Sequence, residues 1–227
     1  MKKTLLIGFL SLLWFITPVK AQLEKGTKYL GGTIGLNGQT YNYDEKDTKS
    51  DTRSGSGHTI SPEMQWGYFL NSSTMIGLGA RYSFQWSRSQ YDLPGQKNRG
   101  NSHSVQLLPF IRKYKTLGDH WAVFFHAEIG PSYNWSKTKV TGDYAYESKI
   151  DYWRHTVSIK PGLSYLFPKK GWVIEGYADV LSLNASYLVS KEGLGEAKNF
   201  MFSSGISTDF PTYFSIRVAK YLTSPNK

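Results

Sequence analysis

The chain has 227 residues, with 27 Lys and Arg against 17 Asp and Glu and no cysteine. That length suits one domain, and the missing cysteines exclude both a disulfide framework and a lipid anchor on a cysteine behind a leader. A net charge of +10 reads as a surface that meets water or anionic lipid, lipopolysaccharide included; in an exported protein it does not point to nucleic acid.

Lys2 and Lys3 precede an apolar run over residues 5–16, followed by Pro18 and the small residues Val19 and Ala21. A charged start, a short apolar run and a small-residue cleavage site predict a secretory signal peptide at 1–21, cut before Gln22. The predicted mature domain is 22–227. Its charge is +7, because Lys2, Lys3 and Lys20 leave with the signal. No later stretch approaches the roughly 18 apolar residues of a membrane helix, so any membrane span must be built from strands.

Period-two alternation, rich in Gly, Thr, Tyr and Phe, predicts strands at 27–43, 58–69, 74–87, 102–115, 121–136, 151–167, 172–190 and 198–222. The connections alternate in length. Short ones are expected at 70–73, 116–120 and 168–171, and long polar ones of fourteen residues at 44–57, 88–101 and 137–150. Long and short connections then lie at opposite ends of an up-and-down sheet. The expected fold is all-β, a single eight-stranded antiparallel transmembrane β-barrel with short periplasmic turns and long extracellular loops. Pro211 interrupts the last strand, where a bulge is expected near 209–212; an extra turn there, giving ten strands, is the alternative.

Alternate residues of a strand point to opposite faces. One face of the third strand carries Ile76, Leu78, Ala80, Tyr82, Phe84 and Trp86, and the other Gly77, Gly79, Arg81, Ser83 and Gln85. The second, fifth and sixth strands split the same way. The six tryptophans beyond the signal fall on the apolar face near strand ends. Trp66, Trp121 and Trp172 stand beside short turns, and Trp86, Trp135 and Trp153 beside long loops. Indole favours the membrane–water interface, so these are expected to form two girdles. The opposite face carries Glu63, Glu128, Glu175 and Asp179 with Arg81, Arg112, Lys160 and Arg217. Charges buried in a narrow lumen must pair, which predicts a plugged interior, with His126 joining the network beside Glu128. Glu63 with Arg81, and Lys160 with Asp179, are expected to face each other across short turns.

Residues 60–69 (ISPEMQWGYF), 108–114 (LPFIRKY) and 214–222 (FSIRVAKYL) resemble the outer-membrane β-barrel domain family, small porin-like proteins common in Bacteroidetes. The likeness covers nearly the whole mature chain. It implies an OmpA- or OmpX-type eight-stranded barrel, generally without an assigned reaction, that passes through the barrel-assembly machinery during biogenesis. Such chains usually end on an aromatic residue, whereas here Tyr221 and Leu222 are followed by Thr-Ser-Pro-Asn-Lys.

Catalytic candidates are His103 with Ser104, His155 with Ser158, and His58, but a nearby Ser is common on such strands. No metal-ligand spacing and no phosphate-binding glycine loop is present. The expected protein is therefore a monomeric, cofactor-free, non-enzymatic barrel of the cell outer membrane. Its role is structural or surface interaction through its loops, with an unidentified surface ligand. A narrow passive pore is the alternative, and a lipid-modifying hydrolase the third reading.

Overall fold

The computed structural model describes residues 23–43, 53–91, 96–142, 145–167, 171–192, 195–204 and 214–222. The signal-peptide expectation at 1–21 lies outside the described residues, as does the bulge expected near 209–212. Ten strands form one antiparallel sheet: β1 Lys28–Tyr43, β2 Arg53–Asn71, β3 Thr74–Tyr91, β4 Lys97–Thr116, β5 Trp121–Thr141, β6 Tyr146–Phe167, β7 Trp172–Ala178, β8 Leu183–Glu192, β9 Gly195–Ser204 and β10 Phe214–Leu222. Neighbours in sequence pair from β1 to β7, β7 pairs with β10, and β10 pairs with β1. The sheet therefore closes into a ring, which leaves these strands no free edge at the turn end.

The sheet has ten strands, the stated alternative to the expected eight, while the closed ring itself is made of eight, β1 to β7 and β10. Both changes fall in the last third of the chain. The strand predicted at 172–190 is broken by a single 3-10 turn, Asp179–Leu181, into β7 and β8. The strand predicted at 198–222 is divided into β9 and β10. Strand β6 accordingly serves two partners on one edge, β7 along Gly162–Phe167 and β8 along Tyr152–Ile159. Pro161, which has no N–H to give to a ladder, sits where the partner changes.

The three long loops are also corrected. Most of 53–57, 88–91, 97–101, 137–141 and 146–150 is strand, so the hairpins run well past their predicted ends. Their Ser, Thr, Gly, Lys and Arg content suggested loops, because no apolar face marks them. Cross-strand pairing satisfies their backbone groups all the same. The segments that join these strand ends, 44–52, 92–96 and 142–145, lie mostly outside the described residues.

Short turns sit at the other end. Strands β2 and β3 meet through Ser72 and Ser73, where Asn71 Oδ1 accepts from the Ser73 backbone N–H (2.9 Å) and hydroxyl (3.0 Å). Residues 23–27 fold across this end, with the Gly26 N–H bonded to the Phe69 carbonyl and the Phe69 N–H to the Thr27 carbonyl, both at 2.9 Å. Leu23 is thereby buried in one apolar cluster with Tyr29, Phe69, Met75, Phe110, Tyr114, Phe124, Leu166 and Tyr221. Gly77 and Gly162 are required here, since the rings of Phe110 and Phe124, their cross-strand partners, lie where a Cβ would stand.

At the far ends of β5 and β6, outside the ring's apolar band, Lys137 Nζ lies 3.0 Å and Lys149 Nζ 3.6 Å from Glu147 Oε1. The Lys137 hydrogen bond holds the exposed Glu147 carboxyl below its ordinary range. A lowered folded pKa stabilises above the unfolded value, and that contribution disappears as pH falls through the folded one. A carboxyl-carbon NMR titration should place the Glu147 midpoint below that of a model glutamate, and Lys137→Gln should raise it. An unshifted wild-type midpoint would mean that the pair does not persist in solution.

Candidate functional site

The interior is where the charged residues converge. Arg112 is fully buried at its centre, and all five guanidinium N–H groups have acceptors. Its Nε donates to His126 Nδ1 (3.2 Å), Nη1 to Glu175 Oε1 (2.7 Å) and the Tyr114 hydroxyl (2.8 Å), and Nη2 to Gln65 Oε1 (2.9 Å) and the Tyr177 hydroxyl (2.5 Å). Because Arg Nε can only donate, His126 Nδ1 must accept. The His126 proton therefore sits on Nε2, which reaches Glu128 Oε2 at 2.9 Å. His126 is a neutral relay between a cation and a carboxylate.

A second cation, Arg217, shares acceptors with the first. It donates to Gln65 Oε1, to the Tyr177 hydroxyl at 2.6 Å and to Glu63 Oε1 at 2.5 Å. Gln65 Nε2 closes the loop by donating to Glu63 Oε1 at 2.8 Å. The other oxygen of Glu63 receives Arg81, directly opposite in register, at 2.6 Å. Lys160 Nζ lies 3.5 Å from Glu128 Oε1 and 3.9 Å from Asp179 Oδ1. Tyr29 donates to Glu175 Oε2 at 2.7 Å. All nine residues assigned from sequence to the interior network thus face inward and join one connected set. Every strand of the ring, β1 to β7 and β10, contributes at least one member.

Sequence reasoning did not single out the hydroxyl and amide groups that knit these charges together. Tyr29, Tyr114, Tyr177 and Gln65 share the inward parity of the charged residues, and that was their available signal. Below the network, toward the short turns, the interior is filled by the apolar cluster around Leu23. The cluster shares Tyr29, Tyr114 and Tyr177 with the network, so charged and apolar side chains pack as one interior toward the turn end.

The outer face is the reverse. Leu36, Phe125 and Ile216 expose 72%, 65% and 68% of their surface, and large apolar side chains stand outward on every strand of the ring. Trp66, Trp121 and Trp172 occupy the turn end of this band, all outward and about half exposed. At the opposite end Trp86, Trp135 and Trp153 belong to one aromatic ladder. Its ring centroids run His58–Trp86 (5.2 Å), Trp86–Phe84 (5.4 Å), Phe84–His103 (4.8 Å), His103–Trp135 (5.1 Å), Trp135–Tyr133 (5.7 Å) and Tyr133–Trp153 (5.2 Å).

Strand parity separates the catalytic candidates. His103 faces outward, bonded at 2.8 Å to the Tyr82 hydroxyl, while Ser104 faces inward opposite Ser83 and Asn134. His155 is likewise outward and Ser158 inward. His58 is committed to the Trp86 stack. No nucleophile–base pair is assembled from these residues. No group of three or more His, Cys, Asp or Glu among the described residues could hold a metal ion.

No family model matches this sequence, and no curated protein matches it. Among solved structures, the transport unit of the autotransporter AIDA-I from Escherichia coli is similar at a TM-score of 0.39 and 12% identity. That comparison covers 80% of this chain and 59% of that one, so this chain spans about three-fifths of the autotransporter unit's length. The toluene transporter TodX from Pseudomonas putida is similar at a TM-score of 0.26 and 8% identity, over 78% of this chain and 67% of that one. Likenesses at these scores carry no argument about function.

Proposed function

We propose that this chain is an outer-membrane β-barrel with a sealed interior, acting through its loop-end surface rather than through a reaction. The observation that carries the reading is the inversion of the ring: apolar side chains stand outward on all its strands while ion pairs fill the inside. In water, a band of that extent would drive association. In lipid it becomes the favourable surface, and at the turn end, where β10 pairs with both β7 and β1, the closed ring leaves its strands no free edge. The outer membrane, with the long hairpins outward and the short turns in the periplasm, is the placement that the leader-like sequence at 1–21 and a strand-built span support. Outer-membrane lipid is the partner in place, the barrel-assembly machinery the partner in biogenesis, and the working unit a monomer. The non-enzymatic reading is supported by the opposite faces taken by each His and its nearest Ser.

The test joins three measurements. The protein should fractionate with the outer membrane, migrate differently on gels before and after heating, and give no porin-sized conductance in planar bilayers. A water-soluble periplasmic protein would overturn the membrane reading. A stable conductance would overturn the sealed interior and favour the narrow pore.

A further inference from the structure

Past the aromatic ladder, the outer face changes chemistry within two residues along each strand. Trp86, Asn101, Lys137 and Lys149 stand side by side across β3 to β6. The next outward-facing row reads Arg88, Arg99, Lys139 and Glu147, and the one beyond it Gln90, Lys97 and Thr141. Arg88, Lys97, Arg99, Lys137, Lys139 and Lys149 are all exposed. Glu147 takes up Lys137 and Lys149. Among the described residues, no carboxylate lies within ion-pair distance of Arg88, Lys97, Arg99 or Lys139.

Three cations in direct register, Arg88 beside Arg99 beside Lys139, repel one another across an antiparallel pair. An anion lying over the row reverses that cost, and guanidinium groups suit phosphate oxygens because they bind them in pairs. Thr40, Ser54 and Ser56 of β1 and β2 border Arg88, Lys97 and Arg99 in one polar groove, adding hydroxyl donors. Directly below, His103, Val105, Tyr133, Trp135 and Trp153 line an apolar groove on the same face. The cations point sideways in continuity with that groove, not upward from the hairpin tips. What stands sideways at that height is the headgroup layer of the surrounding leaflet.

We propose that the outer face of β3 to β5 beyond the ladder binds the phosphorylated headgroup of a leaflet lipid, with its acyl chains on the groove beneath. This rests on the reading of the ring as a membrane barrel. A row of fixed cations would bring such lipids to one side of the barrel and order them there, leaving the other sides to bulk lipid.

The probes are bisphosphorylated lipid A, the same lipid enzymatically dephosphorylated, and inorganic pyrophosphate, each titrated into the full-length mature protein in a neutral maltoside detergent. Native mass spectrometry counts the bound molecules. Wild type should retain the phosphorylated lipid, release it as salt rises, and bind the dephosphorylated lipid and pyrophosphate far more weakly. The triple variant Arg88→Gln/Arg99→Gln/Lys139→Gln should lose about a hundredfold in affinity, at roughly fivefold per cation near a lipid surface. Lys28→Gln/Lys220→Gln, at the turn end, should bind as wild type. Heat-modifiable migration confirms that each variant is folded. Equal retention of both lipids, or an unchanged triple variant, overturns the proposal alone. Equal binding of pyrophosphate assigns the row to soluble phosphate and overturns the lipid. If wild type stays soluble without detergent and does not enter vesicles, the membrane reading fails and takes this proposal with it.

Discussion

Arg112→Met should lower the unfolding free energy by about 3–5 kcal/mol, the range for breaking a buried charge pair from one side. The substitution leaves the Glu175 carboxylate buried without its cation and withdraws donors from Gln65, His126, Tyr114 and Tyr177 together. Urea unfolding of the reconstituted protein, followed by tryptophan fluorescence, gives the number. Arg81→Ala is the contrast. Arg81 is 30% exposed in its side chain, and its partner Glu63 keeps Arg217, so the expected loss is nearer 1.5–3 kcal/mol. The double substitution Arg112→Met/Glu175→Gln should recover part of the single-variant loss, because no unpaired carboxylate then remains. If Arg112→Met costs no more than Arg81→Ala, Arg112 is not the centre of the network.

Ile129→Arg should cost about 2–4 kcal/mol in a bilayer, the value for a cation at the midplane of a lipid-facing strand. Ile129 lies midway along β5 between Trp121 and Trp135, with 58% of its surface outward. In water an outward Arg at such a position costs within about 0.5 kcal/mol, like most surface substitutions. The same substitution therefore reads out the solvent of the outer face. Folding yield into short-chain phosphatidylcholine vesicles, with urea titration of what folds, distinguishes the two values. A near-zero cost would mean that the outer face does not meet lipid.

Much of this architecture was legible in period two. The inward set Glu63, Arg81, Glu128 and Lys160 and the outward set Trp66, Ile76, Val157 and Leu163 follow from parity alone, because one residue's slip would invert every side chain of a strand. The register of Glu63 against Arg81 followed from a short turn of countable length. Two things were not legible. The outer ends of the hairpins carry polar residues on both faces, so alternation vanished although pairing continued. The division of the last two predicted strands goes with β6 changing partners at Pro161, a long-range choice that Pro161 and Pro211 mark in the sequence without saying which strands would pair. The shared acceptors of the interior were hidden for a different reason. Parity puts Tyr29, Tyr177 and Gln65 inside, but only the closed ring brings β1, β2 and β7 close enough to meet Arg112 and Arg217.

The joint between the first and last strands rests on few rungs. Among the described residues, β1 and β10 share five register pairs, Lys28 to Gly32, whereas β5 and β6 share twenty. The seam's cohesion therefore comes largely from side chains that reach across it: Tyr29 to Glu175, Thr33 to the Ile216 carbonyl and Arg217 to Glu63. Two of these link residues 146 and 154 apart in sequence. A chain assembled as far as β7 would hold Arg112 and Glu175 with Tyr29 still free on one side and Arg217 absent. Closure of the ring and completion of the interior charge set therefore coincide, because the strand that pairs β7 with β1 is the one that carries Arg217.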